Sequence, residues 1–214
     1  MGKRLGETGA RPEETDERLD RIISFCRLID KEKSVERRTY ISDGSRFEND
    51  AEHAWHMAVM ALLLSEYADE KTDVLKVVSM LLVHDLVEIY AGDTFAYDTE
   101  GVKTQKQREK DAANRLYAQL PDDLSVKFRG LWDEFEAGQT PEARFAHTLD
   151  NFQPLMLQAA TDGRSWKEGG RRLSEVLRRN AVTPDGSRAL WEYAKEHFIA
   201  PQLENGHLQK DTDL

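Results

Sequence analysis

Three ionisable residues interrupt an otherwise greasy part of the chain. An apolar run over residues 74–83 leads into His84 and Asp85, Glu88 follows one helical turn later, and Gly92–Asp93 closes the segment. Burying a histidine and two carboxylates in such a setting costs several kcal/mol unless something compensates them, and a bound cation does so economically. On one continuous helix His84 and Glu88 share a face, and Asp85, turned by about 100°, reaches the same point from the side. His53 upstream and Asp150 downstream also fall where an apolar helix has little other use for a polar side chain. Two imidazoles and two carboxylates make a mixed nitrogen and oxygen set. It suits one divalent ion, Mn, Co, Zn, Fe or Mg, rather than a metal that seeks thiolates. By spacing alone, scattered His and Asp residues are more often caps or solvated groups.

Helices must position these residues. Leu19, Ile22, Ile23, Cys26 and Ile29 recur at spacings of three and four in a first helix from Glu14 to about Asp30. Residues 31–49 read as a loop carrying Arg37, Arg38, Tyr40 and Arg46, with a turn at Ser42–Asp43–Gly44–Ser45. A second helix starts near Asp50 and holds His53 in its first turns. A third, from about Asp73 to Tyr90, is apolar on nearly every side and is expected to be the central, most buried one. A polar helix lies around residues 106–117. Pro121–Asp122–Asp123 and Thr140–Pro141–Glu142 each open a further helix, the latter bearing Asp150. Two C-terminal helices, roughly 171–180 and 187–199, complete an all-α, compact multi-helix bundle around the helix carrying His84–Asp85. No alternating strand pattern and no internal repeat is visible.

Other polar and aromatic residues have plainer readings. His56 is three residues from His53, not four as a zinc-protease helix needs, and is expected to be structural or to support a ligand. His147 is expected on a helix surface, Trp55, Trp132, Phe145 and Phe152 in the core, and the basic residues 103–110 on a solvated helix face.

The chain of 214 residues fits one domain, expected over residues 14–208 between a flexible N-terminal tail, 1–13, and a C-terminal tail, 209–214. Hydrophobic residues are 39% and charged residues 33%, without an apolar stretch of the ~18 residues that a membrane span needs. A soluble protein without a membrane partner is expected. Cys26 is the single cysteine, so no internal disulfide can form, and no apolar leader follows Met1; a cytoplasmic location is the expectation. A formal net charge of −10 disfavours a nucleic-acid polymer as partner. It leaves room for a small anionic substrate met locally by an arginine or lysine and a metal.

The order of the motifs narrows the chemistry. His53, then His84–Asp85, then a distant Asp150 resembles the HD superfamily of metal-dependent phosphohydrolases. Glu48–Asn49–Asp50–Ala51–Glu52–His53 resembles the E-N-x-x-E-H segment of its YfbR-like 5′-deoxynucleotidase branch, and His84–Asp85–Leu86–Val87–Glu88 with Gly92–Asp93 resembles its H-D-x-x-E-x-x-x-G-D segment. The resemblance spans residues 25 to 165. It implies that His53, His84, Asp85 and Asp150 hold the metal, that Glu88 is an essential carboxylate beside the attacking water, and that Asp93 is a substrate-side group. It further implies an upstream arginine for the phosphate, Arg37 or Arg38 with Arg37 preferred, and Tyr40 where the bacterial pattern has tryptophan. A homodimer is also implied, and Leu190, Trp191 and Phe198 are candidate apolar residues for its interface.

The reaction this resemblance implies is hydrolysis of a 2′-deoxynucleoside 5′-monophosphate to deoxynucleoside and phosphate, with a nucleotide as the small-molecule partner. The rivals are another HD activity, on a triphosphate or a non-nucleotide ester, and a metal- or nucleotide-binding module without turnover. No Gly-Tyr-Pro triplet of the cyclic-dinucleotide branch occurs, and the unpaired His147, His197 and His207 do not supply a di-iron site. Glu88 argues against a module without turnover, which needs ligands but not an extra carboxylate one turn beyond them.

Overall fold

The computed structural model describes residues 12–95, 97 and 100–211. Most of the expected N-terminal tail, 1–11, and the last residues, 212–214, lie outside the described residues. Helix α1 (Pro12–Ile29) begins two residues before Glu14, with proline first, where a missing N–H costs nothing. At the other end residues 209–211 are not a tail. Gln209 N donates to Arg171 O and Gln209 O accepts from Leu173 N, both at 2.9 Å, and Asp211 accepts from Ser174.

The expected loop after α1 is a 3-10 turn (Asp30–Ser34) followed by an antiparallel hairpin, β1 (Glu36–Tyr40) and β2 (Phe47–Asn49), so a small sheet joins an otherwise helical fold. Its register pairs Glu36 with Asn49 and Tyr40 with Phe47, with an irregularity between. Glu-Arg-Arg-Thr-Tyr has no alternation of apolar and polar residues, and backbone pairing plus ion pairs takes the place of a hydrophobic face.

Helices α2 (Asp50–Leu64), α3 (Val74–Leu81), α6 (Asp122–Ala137), α7 (Pro141–Ala160) and α10 (Arg188–Ala194) surround one core that includes Met57, Met80, Phe145, Leu149 and Leu190. A second core joins Phe25 of α1, Val83, Leu86, Val87, Trp132 and α5 (Gly101–Tyr117) through Ala113 and Leu116. Helix α7, rather than the expected third helix, is the central element, packed against α2, α3, α6 and α10. Thr140 caps it by accepting from Ala143 N at 3.2 Å, and Pro141 occupies its first position.

The expected third helix is not continuous. Helix α3 ends at Leu81, His84 lies in a turn, Asp85–Val87 is 3-10, and α4 (Glu88–Ala91) is a single turn. Two carbonyls are diverted from helical pairing here: Leu81 O accepts from His84 Nδ1 at 3.0 Å, and Val83 O from Tyr117 Oη at 3.0 Å. The break sets His84–Asp85 between the two cores.

After α7 come α8 (Arg164–Glu168) and α9 (Leu173–Arg179), then α10, a π-helical turn (Lys195–Ile199) and α11 (Ala200–Glu204). Trp132, Phe145 and Phe152 are core residues as expected, but Trp55 is 64% exposed, because α2 turns that side away from both cores. Leu190 is buried, and Trp191 and Phe198 pack against the first core, so these residues are taken up by folding and are not a free surface.

Candidate metal centre

The start of α2 delivers His53. Asn49 Oδ1 accepts from Glu52 N at 2.9 Å, and Glu52 accepts from Asn49 N at 3.2 Å, a capping box that accounts for the Asn and second Glu of the motif as helix-starting residues. Glu48, just before them, points inward. Its Oε2 accepts from Gln153 Nε2 at 2.8 Å, and Gln153 Oε1 accepts from His53 Nδ1 at 3.0 Å. A carboxylate can only accept, so this chain orients the Gln153 amide and places the His53 proton on Nδ1. The Nε2 lone pair then faces Asp150 Oδ1, 3.1 Å away.

The turn after α3 does the same for His84 by other means. Its Nδ1 donates to Leu81 O, leaving Nε2 bare, buried and without a hydrogen-bond partner. That nitrogen is 3.1 Å from Asp85 Oδ2 and 3.9 Å from Asp150 Oδ1. Ligand atoms of His53, His84 and Asp150 all lie within 4.8 Å of one another. Two lone pairs aimed at carboxylate oxygens in a buried site require a cation, and fixing the far ring nitrogen by a hydrogen bond is the usual support for a metal-binding histidine. Without a metal, the group draws a proton. Burial pulls His84 down, but Asp85 and Asp150 outweigh it and hold it at about 9. The donor set of the residues present therefore fits a divalent metal.

Asp85 stands beside this trio, not within it. Its Oδ2 accepts from Arg37 Nη1 at 2.8 Å, and the same nitrogen donates to Asp50 Oδ1 at 3.1 Å, with Glu48 Oε1 3.6 Å from Arg37 Nε. Arg37 is thus tied among three carboxylates. Glu88, at the first position of α4, is buried, and burial followed by the Asp85 and Asp50 charges pushes its carboxyl up to about 12. Gly92, with φ +73°, takes a left-handed turn that a side chain would strain, and so brings Asp93 to the cavity. Arg108 brackets that turn, donating to Ala91 O and Thr94 Oγ1 at 2.6 Å each. That makes Arg108 more than part of the solvated face expected for residues 103–110.

A cavity of ≈ 550 Å³ opens over the cluster, bordered by His84, Asp85, Glu88, Asp93, Asp150, Arg37 and Arg38. Tyr40 is not in its wall. The Tyr40 ring packs against Phe47 with Arg164 4.0 Å from its centroid, and its hydroxyl donates to Glu168 at 3.1 Å. His56 keeps a supporting place beside Gln153. His147 is in the cavity wall instead of on the surface, its Nε2 donating to Phe135 O at 2.7 Å.

Residues 29–191 match the HD domain family model. The chain belongs to the HD domain family. It is 30% identical over 142 residues to 5′-deoxynucleotidase HDDC2 of Danio rerio, spanning 66% of this chain and 69% of that one. It is 31% identical over 140 residues to 5′-deoxynucleotidase HDDC2 of Homo sapiens, spanning 65% and 67%. A crystal structure of a predicted metal-dependent phosphohydrolase from Magnetospirillum magnetotacticum MS-1 superposes with a TM-score of 0.85 at 43% identity, covering 91% of this chain and 97% of that one. A Pyrococcus furiosus protein at 22% identity shares the fold, with a TM-score of 0.56 over 81% of this chain.

In this HD protein, sequence reasoning missed Gln153, Asp50, Asn151 and Arg179. Gln153 had a signal: it lies three residues after Asp150 on the same helix, hence on the same face. Arg179 had none, being 29 positions beyond Asp150 and brought back by the packing of α9. Pro154, also in the wall, withholds the N–H that would otherwise bond the Asp150 carbonyl.

Proposed function

We propose that this HD-domain protein is a divalent-metal-dependent phosphohydrolase that converts 2′-deoxynucleoside 5′-monophosphates into deoxynucleoside and inorganic phosphate. The observation that carries the reading is the paired arrangement of His53 and His84, each with Nδ1 committed to an acceptor and Nε2 turned to Asp150. His53, His84 and Asp150, with Asp85 alongside, would hold the metal. When bound there, a divalent ion would supply a water activated near neutral pH and a counter-charge for a phosphoryl oxygen. Names of relatives at 30–31% identity support the substrate class.

The chain's own groups divide the remaining work. Arg37 fixes the Asp85 carboxylate, which leaves the exposed Arg38 at the cavity edge as the arginine of that pair to meet the substrate. Glu88 lines the cavity beside Asp85, where a carboxyl can pass a proton to the leaving 5′-oxygen or take one from the attacking water. Asp93 lines the same cavity, where a carboxylate can accept from a sugar hydroxyl.

A reducing cytoplasm suits the single, exposed Cys26, and no helix among the described residues is long and apolar enough to cross a membrane. A homodimer is supported by the exposed apolar face of Trp55, Leu62 and Leu63 on α2 with Leu75 on α3.

Phosphate release from a panel of 5′-nucleotides tests the reaction, using chelator-treated protein with Mn, Co, Zn and Mg returned singly. Deoxynucleoside monophosphates are expected to be cleaved in preference to ribonucleotides, and only with metal. Silence across all monophosphates by protein that binds metal tightly would overturn the substrate assignment.

A further inference from the structure

We propose that Arg179 is the arm that holds the phosphate group of the ligand, an assignment that rests on the phosphohydrolase reading above. Arg179 ends α9 and lines the cavity. Its Nη1 donates to Asn151 Oδ1 at 2.6 Å, and its Nη2 is 3.9 Å from Asp150 Oδ2. The other oxygen of that same carboxylate is 3.1 Å from His53 Nε2. One carboxylate therefore separates the guanidinium from the imidazole cluster, and an anion drawn to the cluster comes within reach of both.

Of the arginines that line the cavity, Arg37 and Arg179 differ in how much of their charge is spoken for. Arg37 is ringed by Asp50, Asp85 and Glu48, and its side chain is 14% exposed. The Arg179 side chain is 39% exposed and has, among the described residues, one hydrogen bond and one long ion pair. Its planar fork keeps N–H donors for a phosphate. Asn151 sets the direction of the arm, and because Asn151 follows Asp150 on α7, one helix fixes the spacing between the anion arm and a metal-ligand carboxylate. Arginine at a helix C-terminus also has a plainer use, complementing the helix dipole; Arg178, next to it and exposed, can serve that purpose from the solvent side.

The surrounding charge agrees. On a chain of net charge −10, residues 164–179 concentrate Arg164, Lys167, Arg171, Arg172, Arg178 and Arg179 against only Glu168 and Glu175. Ser165, Trp166 and Arg179 from this stretch border the cavity, so its net positive charge lies on the cavity's side of the chain and favours arrival of an anion.

Calorimetric titration of inorganic phosphate into the manganese-loaded protein tests the assignment, with manganese binding to the stripped protein measured alongside for wild type, Arg179→Met and Arg179→Lys. Arg179→Met is expected to weaken phosphate binding at least tenfold and to raise KM for a deoxynucleotide more than it lowers kcat. Manganese affinity should stay within twofold, and lysine should restore part of the loss. Unchanged phosphate affinity at saturating manganese, or a drop in manganese affinity alone, would show that Arg179 only steadies Asp150 and overturn the proposal. If the wild-type protein cleaves no monophosphate yet binds phosphate through Arg179, the arm stands and the substrate assignment falls.

Discussion

Two walls of the same cavity are held together differently. Around Arg37, the hairpin, the start of α2 and the turn after α3 bring Glu48, Asp50, Asp85 and Glu88 into a buried network in which nearly every neighbour is ionisable. Around Arg179, α9 presents a partly solvated side chain with Asn151 and Asn180 close by and few commitments. Removing one member from the first wall leaves buried charges unpaired, which costs much more than the pair contributed. A change in the second wall is absorbed by water. The first wall suits chemistry, which needs fixed groups, and the second suits recognition, which needs donors still free.

The sharpest test of the fixed wall is Glu88→Gln, which keeps shape but cannot exchange a proton. We expect kcat to fall by roughly 10³-fold, within the usual range for general acid–base groups, with metal content by mass spectrometry unchanged. Full activity in this variant would remove Glu88 from the reaction. Arg37→Met should destabilise the protein by about 3–5 kcal/mol in urea unfolding, since Asp50, Asp85 and Glu48 lose their shared counter-charge. A loss below about 1 kcal/mol would mean that the network is screened and the contrast between the walls is false.

Glu32, buried in the 3-10 turn after α1, senses the charges of that network and tests it through pH. Burial, then the Asp85 and Asp50 charges, pushes its carboxyl from 4.5 up to about 7. A folded value above the unfolded one contributes stability that is fully present below pH 4.5 and is lost as pH rises through about 7. Between pH 5 and 8 the metal-free protein should lose on the order of 3 kcal/mol from this group. Glu32→Gln should flatten that part of the profile, and identical slopes in the two proteins would place Glu32 in water. The smallest effect is expected at the open wall: Arg179→Met should change unfolding stability by no more than about 0.5 kcal/mol.

Much of this was legible along the chain. Caps at Thr140–Pro141 and the 3.6-residue periodicity marked helix starts and faces, because those signals act over one or two turns. The ligand candidates stood out as polar residues amid apolar ones, and it was the resemblance of their order to the HD superfamily that made them a set. Trp55 misled for the converse reason: its spacing is that of a core residue, and only the placement of neighbouring helices shows that no neighbour covers it.

The hairpin escaped notice because Arg37 and Tyr40 are held by partners on other elements and not by a pattern of their own. The break after Leu81 was hidden likewise, since one of the carbonyls that ends the helix is taken by Tyr117, a residue 34 positions beyond Val83. Residue types and local spacing thus determined by themselves the helical class and a candidate set of nitrogen and oxygen ligands, and the resemblance of the motifs to the HD superfamily supplied the chemistry. Tertiary structure alone decided which arginine is locked and which is free, because a charge is committed or available according to what long-range packing sets within a few ångströms of it.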